Sequence, residues 1–123
     1  MCDDCRVGLT VLIVDDHPAF RSSARRLFED EGFDVVGEAE DGETGLALAR
    51  RLEPELVLLD VGLPGLSGYE VAERLAGGRS TVVLVSSRAQ QDLGRRLDAT
   101  GAAGFISKDR LTPEAVLALV RAA

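Results

Sequence analysis

ELVLLDVGLPGLSG, Glu55 to Gly68, decides how the chain is read. Four apolar residues, Leu56 to Leu59, run into one carboxylate, Asp60, and a loop rich in Gly, Pro and Ser follows. An apolar run without alternation suits a strand covered on both faces, as in a parallel sheet. A lone acid at its end is either a turn former or a group held at the rim of the sheet. The other apolar runs end in the same manner. VLIV (11–14) runs into Asp15 and Asp16, VVLV (82–85) into Ser86 and Ser87, and GFIS (104–107) into Lys108.

Helical signals fill the intervals. Thr10 to Val14 is expected to be the first strand. Pro18 suits the first helical position, where its missing N–H is no loss. Phe20, Ala24, Leu27 and Phe28 mark one face of that helix, which Gly32 ends. Phe33 to Glu38 reads as a second strand. Asp41 is a plausible N-cap for a helix from about Gly42 to Leu52, with Leu46, Ala49 and Leu52 inward. Pro54 stops it, and Glu55 to Asp60 follows as the central strand. Ser67 and Glu70 make a capping box for a third helix, with Val71 and Leu75 buried and Gly77-Gly78 as its stop. Thr81 to Val85 is the fourth strand. The helix expected over about Arg88 to Ala99 is poorly amphipathic and should be the least stable. Gly104 to Ser107 is a fifth strand, and Thr112-Pro113 opens a last helix with Val116 and Val120 inward.

Strands alternating with helices imply an α/β chain with a parallel sheet covered on both sides. Right-handed crossovers favour a three-layer, flavodoxin-like (βα)5 fold with strand order 2-1-3-4-5. In that order strands 1, 3 and 4 are neighbours. Ligands in such sheets bind beyond the carboxyl ends of the strands, at the switch point. Asp15, Asp16, Asp60, Ser86 and Lys108 all fall on that rim.

Bulk properties narrow the function. The 123 residues are 46% hydrophobic and 28% charged, as expected for one globular domain with a real core. No apolar run approaches a membrane span, and no signal segment opens the chain, so a cytoplasmic protein is expected. Fourteen Lys and Arg against 21 Asp and Glu leave a net charge of −7, which argues against direct nucleic-acid binding. Cys2 and Cys5 have zinc-type spacing, but His17 is the single histidine and further ligands are lacking. They are read as part of a flexible N-terminal segment, residues 1–9, without a function.

Three carboxylates at one rim repel, and need either raised pKa values or a cation. A hard divalent ion such as Mg²⁺ tolerates one or two carboxylates plus waters. A carboxylate beside such an ion can attack phosphorus and form an aspartyl phosphate. Asp60 is the best nucleophile, because it ends the central strand before a flexible loop. Asp15 and Asp16 are better as metal ligands, while Ser86 and Lys108 can contact phosphoryl oxygens. Taken singly, each has an ordinary reading as a turn former or a solvated charge, and His17 is most simply a loop residue.

VLIVDDHPAFR, LVLLDVGLPGLSGYE, VVLVSS and GAAGFISKD together resemble the receiver domain of a bacterial two-component response regulator. The likeness spans residues 10–122. The DDHPxFR opening and the GxxGFxxKD segment are similar to the subgroup that carries a LuxR-type helix-turn-helix output domain. The resemblance implies that Asp60 accepts a phosphoryl group from a sensor histidine kinase. It implies that Asp15, Asp16, Asp60 and the backbone carbonyl of Gly62 hold Mg²⁺. Ser86 and Lys108 would bind the phosphoryl group, and Ser86 with Phe105 would form the switch. The surface of the fourth helix, fifth strand and last helix would then be remodelled, with homodimerisation on phosphorylation. Transcription would be controlled through an output domain absent from these residues. The chain is thus expected to be a switch protein rather than an enzyme, with Mg²⁺-dependent self-phosphorylation and autodephosphorylation.

Three departures stand out. Lys108 is followed by Asp109 and not by Pro, so no cis bond is expected. Gly62 replaces a side chain often found beside the acceptor. Phe105 lacks the hydroxyl of a Tyr switch. A phosphohydrolase of the haloacid dehalogenase type would need an acid where Gly62 stands. A flavin or nucleotide module would need a phosphate loop where the chain has two acids. An unphosphorylated interaction module usually lacks an acid or the lysine, and this chain has all five groups.

Overall fold

The computed structural model of the chain describes residues 8–87 and 100–122. Strands β1 (Thr10–Val14), β2 (Asp34–Ala39), β3 (Leu56–Asp60), β4 (Thr81–Ser86) and β5 (Gly104–Ser107) form one parallel sheet in the order β2-β1-β3-β4-β5. Helices α1 (Pro18–Asp30), α2 (Gly42–Leu52), α3 (Gly68–Leu75) and a C-terminal helix (Pro113–Ala122) flank it. The expected order and class are therefore observed. The helix expected over about 88–99, and Cys2 and Cys5, lie outside the described residues. Among the described residues no helix is long and apolar enough to cross a membrane.

The unbroken apolar strands build two cores, because successive side chains face opposite sides of a sheet. Leu12, Val14, Val57, Leu59, Val82 and Leu84 meet Leu46 and Ala49 of α2 and Val71 and Ala72 of α3. Val11, Ile13, Leu56, Leu58 and Val83 meet Ala24 and Phe28 of α1 and Val116 of the C-terminal helix. Phe28 and Phe33 add an edge-to-face contact with ring centroids 4.9 Å apart. Each such fully buried Leu, Val or Phe contributes roughly 1.5–3 kcal/mol.

Local chemistry sets the element ends. Asp41 caps α2 by accepting a hydrogen bond from the Thr44 N–H at 2.7 Å. The capping box forms as expected: the Glu70 N–H donates to Ser67 Oγ, and the Ser67 N–H donates to Glu70 Oε1. At the start of the sheet Thr10 and Glu55 exchange bonds, with the Glu55 N–H reaching Thr10 Oγ1 at 2.8 Å and the Thr10 N–H reaching Glu55 Oε1 at 3.1 Å. The described residues contain no cis peptide, as expected after Lys108.

Two expected core residues sit outside it. Leu27 and Leu52 are each 39% exposed. Helix α1 is turned so that Arg21 and Arg25 reach Glu38 of β2, which carries Leu27 to the rim of the buried face. Leu52 is the last residue of α2, and its Cδ1 lies over Gly37 at the edge strand. Leu75 and Val120 are half-buried, and the inner face of α3 is completed by Ala72.

Gly68 ties the central strand to α3. A Cβ there would collide with the Asp60 carbonyl and lie 2.8 Å from Val61 Cα, both backbone atoms that cannot rotate away. Gly68→Ala is expected to cost about 2–3 kcal/mol, read as a lower urea midpoint. Gly65→Ala is expected to cost less, because no atom lies within 4 Å of its added Cβ and only its φ of +71° resists.

Candidate functional site

Asp15, Asp60, Ser86 and Lys108 arrive at one rim because each lies at or just past the carboxyl end of its strand. Asp15 is the first residue beyond β1, and its N–H still donates to the Ala39 carbonyl at 2.9 Å. Asp60 is the last residue of β3 and pairs in register with Val85, the neighbour of Ser86. Lys108 opens the 3-10 turn that follows β5. Asp15 is fully buried, Asp60 is 5% exposed and Ser86 is 3% exposed.

One oxygen each of Asp15, Asp16 and Asp60, with one ring nitrogen of His17, lie within 4.8 Å of one another. Lys108 Nζ is 2.6 Å from Asp15 Oδ2 and 3.5 Å from Asp60 Oδ2. Its ammonium also stands 4.5 Å from the centroid of the Phe20 ring, a cation–π contact. Backbone N–H groups orient the two buried acids. The His17 N–H donates to Asp15 Oδ1 at 2.8 Å, and the Gly62 N–H donates to Asp60 Oδ1 at 3.1 Å. His17 comes closer to the acids than its reading as a loop residue implied, with Nδ1 3.2 Å from Asp15 Oδ1 and 3.2 Å from Asp16 Oδ1.

The electrostatics favour a cation. Two like charges about 4 Å apart repel by roughly 4 kcal/mol at an effective dielectric constant near 20. Three carboxylates and one ammonium leave the cluster two negative charges in excess. Burial, first of all, pushes the Asp60 carboxyl above the ordinary range; Asp15 and Asp16 add to this, while the Gly62 N–H and Lys108 oppose it. Asp16 Oδ1 is buried without a hydrogen bond of good geometry, so an oxygen lone pair is left for an ion to use. This donor set, all oxygen apart from the exposed imidazole, fits a hard divalent ion.

Phe105 lies half-buried on β5 against the core that contains Leu84. Gly62 is exposed, and a Cβ there would stand 3.8 Å from Asp60 Oδ1 with nothing else within 4 Å. The sequence had pointed to Arg21 only as part of a motif. In the fold, Arg21 Nη1 donates to the Asp15 carbonyl at 2.6 Å and Nε donates to Glu38 Oε1 at 3.3 Å. The signal available was the pair Arg21 and Arg25, one turn apart, with Glu38 near the end of β2.

The geometry is that of a parallel α/β sheet with an acidic, lysine-capped rim at its switch point, and the comparisons agree with it. The model of the response regulator receiver domain matches residues 11–121, and the chain belongs to that family. These are receiver domains of two-component response regulators. The chain is similar to the virulence-factor transcription regulator BvgA of Bordetella pertussis, 45% identical over 100 residues, covering 80% of this chain and 48% of BvgA. It is similar to the nitrate/nitrite response regulator NarP of Escherichia coli K12, 40% identical over 116 residues, covering 91% of this chain and 53% of NarP. Among solved structures, the receiver domain of the response regulator NarL from Mycobacterium tuberculosis superposes with a TM-score of 0.85 at 33% identity, covering 94% of this chain and 98% of that one. The chain spans about half the length of the curated relatives it matches.

Proposed function

We propose that residues 10–122 work as a phosphoacceptor switch in which Asp60 takes a phosphoryl group from a sensor histidine kinase. The observation that carries this reading is the convergence of Asp15, Asp16, Asp60 and Lys108 at one buried rim. An Asp60 carboxylate oxygen attacks phosphorus, a P–O bond forms, and the P–N bond of the donor phosphohistidine breaks. The imidazole leaves with the electron pair and takes up a proton. Lys108, 3.5 Å from Asp60 Oδ2, supplies an ammonium to one phosphoryl oxygen. The Ser86 hydroxyl, on the same rim at the end of β4, donates to another.

Asp15, Asp16 and Asp60, with the Gly62 carbonyl, would hold Mg²⁺, which when bound neutralises charge on the transferring group. As Ser86 moves toward the phosphoryl group, Phe105 turns inward, and the surface around β5 and the C-terminal helix is remodelled. Homodimerisation on phosphorylation would use that surface or an adjacent one. In a longer cytoplasmic protein it would govern a LuxR-type output domain and so transcription. BvgA, described as a transcription regulator, supports this last step. Nucleic acid would be bound by the output domain and not by this acidic unit.

The test is intact mass after incubation with acetyl phosphate. With Mg²⁺ the protein is expected to gain one phosphoryl group, and with EDTA none. An unchanged mass in Mg²⁺, together with NMR signals that beryllofluoride leaves in place, would favour an unphosphorylated interaction module.

A further inference from the structure

We propose that Arg21 is a positioning residue for the cation centre, acting through the backbone of Asp15 and touching neither cation nor phosphoryl group. Asp15 stands one residue beyond β1, where the ladder ends and its carbonyl needs a partner from elsewhere. Arg21 Nη1 is that partner at 2.6 Å. The Asp15 N–H is meanwhile held by Ala39 at 2.9 Å. The residue is thus fixed at both ends of its backbone, and its fully buried carboxylate is aimed by that restraint together with the His17 N–H.

The guanidinium is itself braced. Its side chain is 17% exposed, and Nε donates to Glu38 Oε1 at 3.3 Å. The other oxygen of Glu38 is taken by Arg25 Nη1 at 2.6 Å, and Arg25 Nε reaches Glu29 Oε2 at 3.1 Å. A planar fork can bind two acceptors in fixed directions, and a lysine ammonium cannot replace it at such a site. Arg21 differs from Lys108 in a useful way. Lys108 covers a carboxylate oxygen that a cation would use, whereas Arg21 binds the Asp15 carbonyl and Glu38, and occupies no carboxylate oxygen of Asp15, Asp16 or Asp60. Groups that hold metal ligands in place typically change affinity 10- to 100-fold when removed.

This inference rests on the cation-binding reading given above. The experiment is a calorimetric Mg²⁺ titration of the wild-type chain, Arg21→Ala, Arg21→Lys and Arg25→Ala, with melting curves of each in EDTA. Arg25→Ala breaks the same Glu38 network without touching Asp15. Arg21→Ala is expected to weaken Mg²⁺ about tenfold and Arg21→Lys by several-fold, while Arg25→Ala lowers the melting temperature and leaves affinity within twofold. Equal Mg²⁺ affinity in Arg21→Ala and wild type would overturn the proposal. So would an equal loss in Arg25→Ala, which would mean general loosening of α1 against β2. Should Arg21→Ala fail to fold, wild-type affinity in Arg21→Lys would overturn it. Wild-type protein that binds no Mg²⁺ would instead overturn the underlying functional reading as well.

Discussion

Asp60→Asn is expected to abolish phosphoryl uptake and, in the same molecule, to raise the melting temperature of the metal-free protein. The first effect follows from loss of the nucleophile, since an amide oxygen does not attack phosphorus under these conditions. The second follows from crowding. Asp60 is buried beside Asp15 and Asp16, and burial is the chief reason its carboxyl is pushed above the ordinary range. A carboxyl whose folded pKa is raised weakens the fold above that pKa, and the penalty fades as pH falls through it. Asparagine keeps the shape and can still accept the Gly62 N–H at the Oδ1 position. The variant should therefore be about 1 kcal/mol more stable near pH 7 in EDTA. The gap should close as pH falls through the raised pKa of wild-type Asp60, where the buried carboxyl takes up its proton. Urea melts across this pH range are the check; an asparagine variant less stable than wild type near pH 7 would contradict the crowding.

Lys108→Met moves stability in the opposite direction and by more. Lys108 is the cation that faces Asp15 and Asp60, and its side chain is only 14% exposed. Methionine retains the apolar stem beside Phe20 and removes the charge. Breaking a buried pair typically costs about 3–5 kcal/mol, and the part-exposed Asp16 lets the cluster relax, so about 2–3 kcal/mol is expected here. Without the ammonium, which opposes the upward push of burial on the Asp60 carboxyl, that carboxyl is raised further. The loss is then largest at neutral pH and shrinks as pH falls and Asp60 takes up its proton. Mg²⁺ should restore much of it, since a ligand at 100 times its Kd adds about 2.7 kcal/mol. A pH-independent loss, unmoved by Mg²⁺, would mean that Lys108 matters only as packing.

These opposed effects come from a feature that was readable in the sequence. Apolar strands without alternation gave the parallel sheet, and the polar residue after each gave the rim, because a parallel sheet puts all its carboxyl ends on one side. The caps at Asp41 and Ser67 were legible for the same reason: they are local, and the bonding groups lie within three residues. What was not legible depended on rotation about an axis. The apolar spacing of α1 allowed Leu27 to be core, but only the fold shows the helix turned to bring Arg21 and Arg25 against Glu38. Leu52 failed similarly, since burial at a helix end depends on what the neighbouring strand presents, here Gly37. The closeness of His17 to two carboxylates depended on the turn after β1, which no periodicity encodes.

The centre stands or falls on where the phosphoryl group goes. After reaction with acetyl phosphate and Mg²⁺, borohydride reduction turns an aspartyl phosphate into homoserine, which tandem mass spectrometry can place. Homoserine at position 60 and at no other aspartate is the predicted result; homoserine elsewhere, or none in protein shown to bind Mg²⁺, would contradict the account.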